Sequence, residues 1–276
     1  EGTDIKTLLP EGTSYLKGIG ILMIIFHNYF HWVAPNTGEN EFDFALSRVH
    51  SIGRLLGASP LEFINILFSF FGHYGVQLFI VLSGYGLVRQ MQKRGESWAQ
   101  FSLSSRMVKL YSLLFISFVV ALFFTFYADK ALPGSEWFKS FGYYFLMINS
   151  IVPGQLFAIN GPWWFFGLIF QFYLVFPLLY YILDKYHTKG LLILGIVSYL
   201  LFYGLLPLFE GININLMATV FGHLPEFLLG MWLASRPTIK IPGWMLIVAI
   251  GLVYSGNYVE FLWPFSFIGF SLFLVM

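Results

Sequence analysis

The chain runs to 276 residues, of which 58% are hydrophobic, 21% aromatic and only 11% charged, and its mean hydropathy is +0.74. Soluble domains carry about 25% charged residues, so this chain cannot cover a water-facing surface of its own and lipid is its solvent. A net charge of +1 leaves no electrostatic footprint for nucleic acid, and the absence of cysteine excludes disulfides, thiolate catalysis and cysteine-held metals.

A helix needs about 20 mostly apolar residues to cross a bilayer. Taken in chain order, such runs fall at 15–35, 63–88, 107–127, 161–183, 190–209, 216–234, 242–259 and 262–276. The first contains His27 and Asn28 and lacks a small-residue cleavage site, so it is not read as a cleavable signal peptide. A shorter apolar stretch, 137–152, is bounded by Pro133-Gly134 and Pro153-Gly154 and is expected to be an interfacial or re-entrant helix. The runs are continuous rather than alternating, which argues against a β-barrel. The fold class expected is therefore all-α: a polytopic transmembrane helical bundle of about eight to ten spans. The chain opens on Glu1 and closes on Met276 inside an apolar run. We expect 1–276 to be a single membrane-embedded domain from which the last span or spans are missing.

Basic residues set the orientation. Arg89, Lys93, Arg94, Arg106 and Lys109 crowd the linker after the second span, against one acid, Glu96. By the positive-inside rule that linker is cytoplasmic. If 137–152 does not cross, the cytoplasmic side holds 11 of the 15 Lys and Arg residues, including Lys6, Lys17, Lys185, Lys189, Arg236 and Lys240, and the N-terminus is inside. If it does cross, the bias disappears. Residues 36–60 then form an outer loop long enough to carry a short helix over the mouth of a cavity.

Ionisable groups inside a membrane are costly and point to function. His27 lies mid-span, ten residues and about 15 Å of helix rise from Lys17 at the inner interface. A ligand touching both has a charged head and a thin arm. The plainer account is that Lys17 snorkels and His27 bonds a neighbouring helix. In the second span Gly75 and Gly84 suit close helix approach, and His73 suits the outer water layer. Arg106 and Lys109 serve either as topological anchors or as phosphate ligands, for which Arg has the better donor fork. The tryptophans of Gly161-Pro162-Trp163-Trp164 fit an interfacial belt. His223 and Glu226 share a helical face, but two local ligands do not make a metal site, and no metal is expected.

These pieces, in this order, resemble the membrane-bound acyltransferase-3 family. The resemblance rests on Tyr15-Leu16-Lys17-Gly18 through His27, on Gly75 through Ser83-Gly84-Tyr85, and on Arg106 to Tyr111. It continues through Trp164 to Gln171-Phe172-Tyr173 and Pro177, and ends with Glu226-Phe227-Leu228-Leu229-Gly230. Two positions depart from the pattern: Lys17 stands where the family usually has Arg, and Ile169-Phe170 where many members are acidic. Together they mark a divergent subgroup.

The resemblance implies an acyltransferase of the inner (plasma) membrane that moves an acetyl or other short acyl group from cytosolic acyl-CoA to a hydroxyl of a cell-surface or lipid-linked saccharide, as in polysaccharide O-acetylation. Acetyl-CoA is then a co-substrate and no cofactor is permanently bound; the partners are membrane lipid, acyl-CoA and the saccharide. Lys17, Arg106 and Lys109 would hold the CoA phosphates, and His27 would act on the acceptor hydroxyl as a neutral base or form an acyl-imidazole. Ser83 would donate to the oxyanion, Glu226 would orient His27 or the acceptor, and His73, Gln77, Trp164 and Tyr173 would contact substrate. The alternative is a transporter or flippase of a polar lipid-linked substrate, which has no reason to bind CoA. A structural subunit would be indifferent to loss of His27.

Overall fold

The computed structural model describes residues 3–6, 10–34, 42–130, 132–235 and 238–276. Glu1, positions 35–41 of the expected outer loop, Arg236 and the side chains of Lys6 and Lys240 lie outside the described residues. Helices occupy almost every apolar run picked out from the sequence. They are α1 (Pro10–Phe30), α2 (Leu46–Ala58), α3 (Phe63–Phe71), α4 (Tyr74–Arg94), α5 (Leu103–Asp129), α6 (Ser135–Phe145), α7 (Trp164–Gly211), α8 (Val220–Ala234), α9 (Trp244–Tyr258) and α10 (Trp263–Val275). One feature lies outside an all-α reading. Strands β1 (Thr3–Lys6) and β2 (Thr238–Ile241) pair antiparallel, with Thr3 opposite Ile241 and Lys6 opposite Thr238.

Two described helices are long and apolar enough to cross a membrane, Leu103–Ala128 and Gly161–Gly211, or three if the pair Leu46–Ala58 and Pro60–Phe71, bent by 120°, counts as one span. The expected run 63–88 is two helices, α3 and α4, separated at Gly72-His73. The runs 161–183 and 190–209 are the two halves of α7, broken at His187, where φ is 53° and ψ −145°. Gly190 lets the second half fold back against Ile182 and Tyr186 with no Cβ in the way. The stretch 137–152 is helical only in α6, whose 11 residues rise about 16 Å, half a bilayer core. α8 and α9, at 15 residues each, also fall short of the full hydrocarbon thickness.

The chain divides into two compact units. The first, residues up to Gln92 together with His223–Met276, contains β1, α1–α4, nearly all of α8, β2, α9 and α10. Its helices meet through glycines. Gly20 and Gly75 let α1 and α4 cross, Gly84 and Gly230 bring α4 and α8 backbone to backbone, and Gly256 and Gly269 do the same for α9 and α10. Small residues at crossings are how helices pack where lipid removes the hydrophobic drive. The second unit, Lys93–Gly222, packs α5, α6 and the first half of α7 around Leu110, Leu114, Tyr144, Met147, Trp163 and Ile169. The Tyr144 hydroxyl donates to the Leu156 carbonyl at 2.8 Å and pins the segment that follows α6.

Candidate active site

In the first unit, α1 and α4 run antiparallel: Gly20 lies against Gly75 and Phe79, and His27 against Gly72. That register carries His27 to the α3–α4 break. Gly72 is required there, since any Cβ would collide with the Cβ of His27 and the carbonyl of Met23. His27 is 2% exposed. Its Nδ1 lies 3.3 Å from the carbonyl oxygen of Phe68. A carbonyl only accepts, so this bond places the ring hydrogen on Nδ1 and leaves Nε2 with its lone pair. Nε2 is buried and has no partner.

Other imidazoles surround it. His31 stands edge-on to His27 with ring centres 4.1 Å apart, and its Nε2 faces the Ser69 carbonyl at 3.1 Å. His73, in the break itself, lies 5.8 Å from His27 between ring centres. It is buried rather than turned to an outer water layer, and neither of its ring nitrogens makes a well-aligned hydrogen bond, the Phe70 backbone being its near polar neighbour. Its ring lies 4.2 Å from that of Tyr74, whose hydroxyl donates to Ser266 at 2.9 Å and accepts from Asn257 at 3.1 Å.

Gln77 is completely buried, and both atoms of its amide group lack partners. It belongs to the stripe 77, 81, 84, 88 of α4, whose Val81 and Gly84 touch α8. Across a Phe267 ring that contacts both His73 and His223, α8 supplies a second buried polar pair. His223 Nδ1 and Glu226 Oε1 are 3.2 Å apart, and both residues are 1% exposed. The expected shared face is therefore an actual contact, and the partner of the Glu226 carboxylate is His223. Among the described residues no group of three or more His, Asp or Glu side chains could hold a metal ion.

Ser83 and Lys17 stand apart from this cluster. The Ser83 hydroxyl donates to the Phe79 carbonyl of its own helix at 2.8 Å, nine residues and about 14 Å of rise beyond Tyr74. Lys17 is exposed on the outer face of α1. Under α2, where a helix over a cavity was expected, there is a cavity of about 380 Å3 walled by α2, α3, α9 and α10. Its lining is almost wholly apolar, including Val49, Ile52, Phe70 and Phe270.

The second unit holds the remaining candidates. Arg106 is half-buried near the start of α5, with its guanidinium 5.9 Å from the centre of the Phe101 ring and within electrostatic reach of Tyr173, Arg94 and Glu96. Lys109, one turn on, is exposed, and Trp164 is buried at the start of α7. Two residues not singled out from the sequence stand out here. Gln171 donates to Ser150 at 2.8 Å and accepts from the backbone of Val220 at 2.9 Å, tying the segment after α6 to the start of α8. Asn149 is fully buried with neither amide atom bonded, beside Gly167. The signal for Gln171 was its place in the Gln-Phe-Tyr element; Asn149 gave none.

A family model described as an acyltransferase domain matches residues 12–276, which includes every candidate above. No curated protein and no solved structure is significantly similar to the chain.

Proposed function

The chain belongs to the membrane acyltransferase-3 family and is an acyltransferase, and from that premise we propose that it carries an acetyl or other short acyl group from cytosolic acyl-CoA to a hydroxyl of a cell-surface or lipid-linked saccharide. The observation that carries this reading is His27: a buried imidazole whose Nδ1 is engaged by the Phe68 carbonyl and whose Nε2 has no partner. A base held in one tautomer, away from water, is what acyl transfer to a hydroxyl requires.

The step balances around one nitrogen. Nε2 takes the acceptor's hydroxyl proton as that oxygen bonds to the thioester carbon and the carbonyl electrons move onto oxygen. The tetrahedral intermediate then collapses, the carbon–sulfur bond breaks, and the CoA thiolate receives the proton from Nε2. An acyl-imidazole route uses the same lone pair. Lys17 in its unit, and Arg106 with Lys109 in theirs, are the proposed contacts for the donor phosphates. Gln77, Trp164 and Tyr173 are the proposed substrate contacts. Glu226 contributes through His223, and Ser83 through its place beside the α4–α8 crossing.

Orientation in the inner membrane with a cytoplasmic N-terminus belongs to the same proposal. It draws support from β1 and β2, whose pairing puts the segments before α1 and after α8 on one membrane face. An even number of crossings must separate them, as it does if α6 stays at the surface.

Release of free thiol from acetyl-CoA tests the activity directly, because the protein has no cysteine to contribute background. The purified protein in lipid, given acetyl-CoA and a panel of saccharides, is expected to release thiol in step with ester formation. Thiol release that no saccharide accelerates would refute the acceptor class.

A further inference from the structure

His73 has no role yet that explains its burial. It is 3% exposed, and neither ring nitrogen makes a well-aligned hydrogen bond, although the Phe70 backbone lies close enough to interact. A buried donor without a well-formed bond is costly to keep, and a catalytic role is one reason a fold keeps it. Its position says which group. The ring lies 5.8 Å, centre to centre, from that of His27, the proposed base. A reacting carbonyl within reach of both rings would present its carbon toward His27 and its oxygen toward His73.

Two further features favour negative charge there. His73 immediately precedes α4, a helix of 21 residues, so its side chain lies at the positive end of that helix dipole. The α3–α4 break at Gly72-His73 is what brings a helix start into the interior of the unit. Ser83, the hydroxyl expected from sequence to serve the oxyanion, already donates to the Phe79 carbonyl.

We propose that His73, as a neutral imidazole, donates its ring N–H to the oxyanion that forms when the acceptor oxygen adds to the thioester carbon, with the N-terminal end of α4 supporting the same charge. It rests on the acyl-CoA reading above and deepens it. His73 gains and loses no proton in the cycle. Its hydrogen bond strengthens as the carbonyl oxygen becomes an oxyanion and relaxes as the carbon–sulfur bond breaks.

The test uses a ligand pair that does not depend on knowing the acceptor: acetyl-CoA, and the trifluoromethyl ketone analogue trifluoroacetonyl-CoA, whose hydrate imitates the tetrahedral intermediate. Binding of both is measured for the full chain in lipid and for His73→Phe, His73→Ala and His73→Gln. The wild type is expected to bind the ketone at least 100-fold more tightly than acetyl-CoA. His73→Phe, which keeps the volume, is expected to lose about 100-fold on the ketone and less than threefold on acetyl-CoA. His73→Gln, which restores an N–H, recovers part of the loss. Equal losses on both ligands, or none, would overturn the proposal and give His73 a packing or ground-state role. Should His73→Ala fail to fold, the Phe and Gln variants still decide. Absence of acetyl-CoA binding by the folded wild type would instead overturn the acyl-CoA reading.

Discussion

His27 and Phe68 are joined across 41 residues by one bond: imidazole Nδ1 to carbonyl oxygen, 3.3 Å, between α1 and the last turn of α3. The bond fixes the ring's orientation and tautomer, so the role of the histidine lies in the other nitrogen. Replacing His27 with Gln or Ala is therefore expected to reduce turnover by about 100- to 10,000-fold. Melting temperature, read by intrinsic fluorescence in detergent, should fall only slightly, because the lost bond contributes about 1 kcal/mol. A variant with near-normal turnover would remove His27 from the chemistry.

The α4–α8 contact is made by glycine. A Cβ at Gly230 would drive into the carbonyl of Val81, whereas one at Gly86, two residues past Gly84, meets open space. Gly230→Ala is expected to cost about 1–3 kcal/mol through forced separation of the helices. Gly86→Ala should leave stability unchanged or raise it slightly, since alanine is the better helix former. Thermal unfolding of the two variants side by side distinguishes a tight crossing from a loose one; equal melting temperatures would count against the crossing.

Tyr144 is the anchor of the second unit's core. Burial pushes its hydroxyl up to about 12 from the usual 10.0, while the backbone groups of Ile159 and Ala158 pull the other way. A folded value above the unfolded one means the contribution is whole below pH 10 and is lost as pH rises through 12. Absorbance titration at alkaline pH should lose one tyrosine's worth of late-ionising amplitude in Tyr144→Phe. The same variant leaves the Leu156 carbonyl short of its donor, at a cost of about 1–2 kcal/mol.

The β1–β2 ribbon ties together segments more than 230 positions apart, with Asp4 opposite Lys240. The natural chain has no cysteine, so the double variant Asp4→Cys, Lys240→Cys carries only the pair of interest. Oxidation is expected to link it in high yield, and each single variant should react with a membrane-impermeant maleimide only from the cytoplasmic face. Labelling from opposite faces would break the topology.

Much of this organisation is readable in the residues themselves. The charged turn Asp184 to Lys189 marks the break in α7, and the three-residue spacing of His223 and Glu226 is a contact because helical rise puts them on one face. The α3–α4 break is not readable. Averaged over a span, two residues at Gly72-His73 vanish into an apolar run, and only the approach of α1 gives that glycine its meaning. The meeting of His27 with His73 is likewise tertiary, set by the register of two glycine-bearing helices. The ribbon is beyond local pattern altogether, since four-residue strands such as Thr3–Lys6 carry too little periodicity to pair at a distance.

The measurement that reaches the centre of this account is a binding isotherm of acetyl-CoA on the purified, folded protein, wild type and His27→Ala side by side. The account predicts saturable binding of similar affinity in both, with thiol release in the wild type alone. A wild type that is demonstrably folded and binds no acetyl-CoA would contradict it, and the buried polar cluster would then have to be explained without a CoA donor.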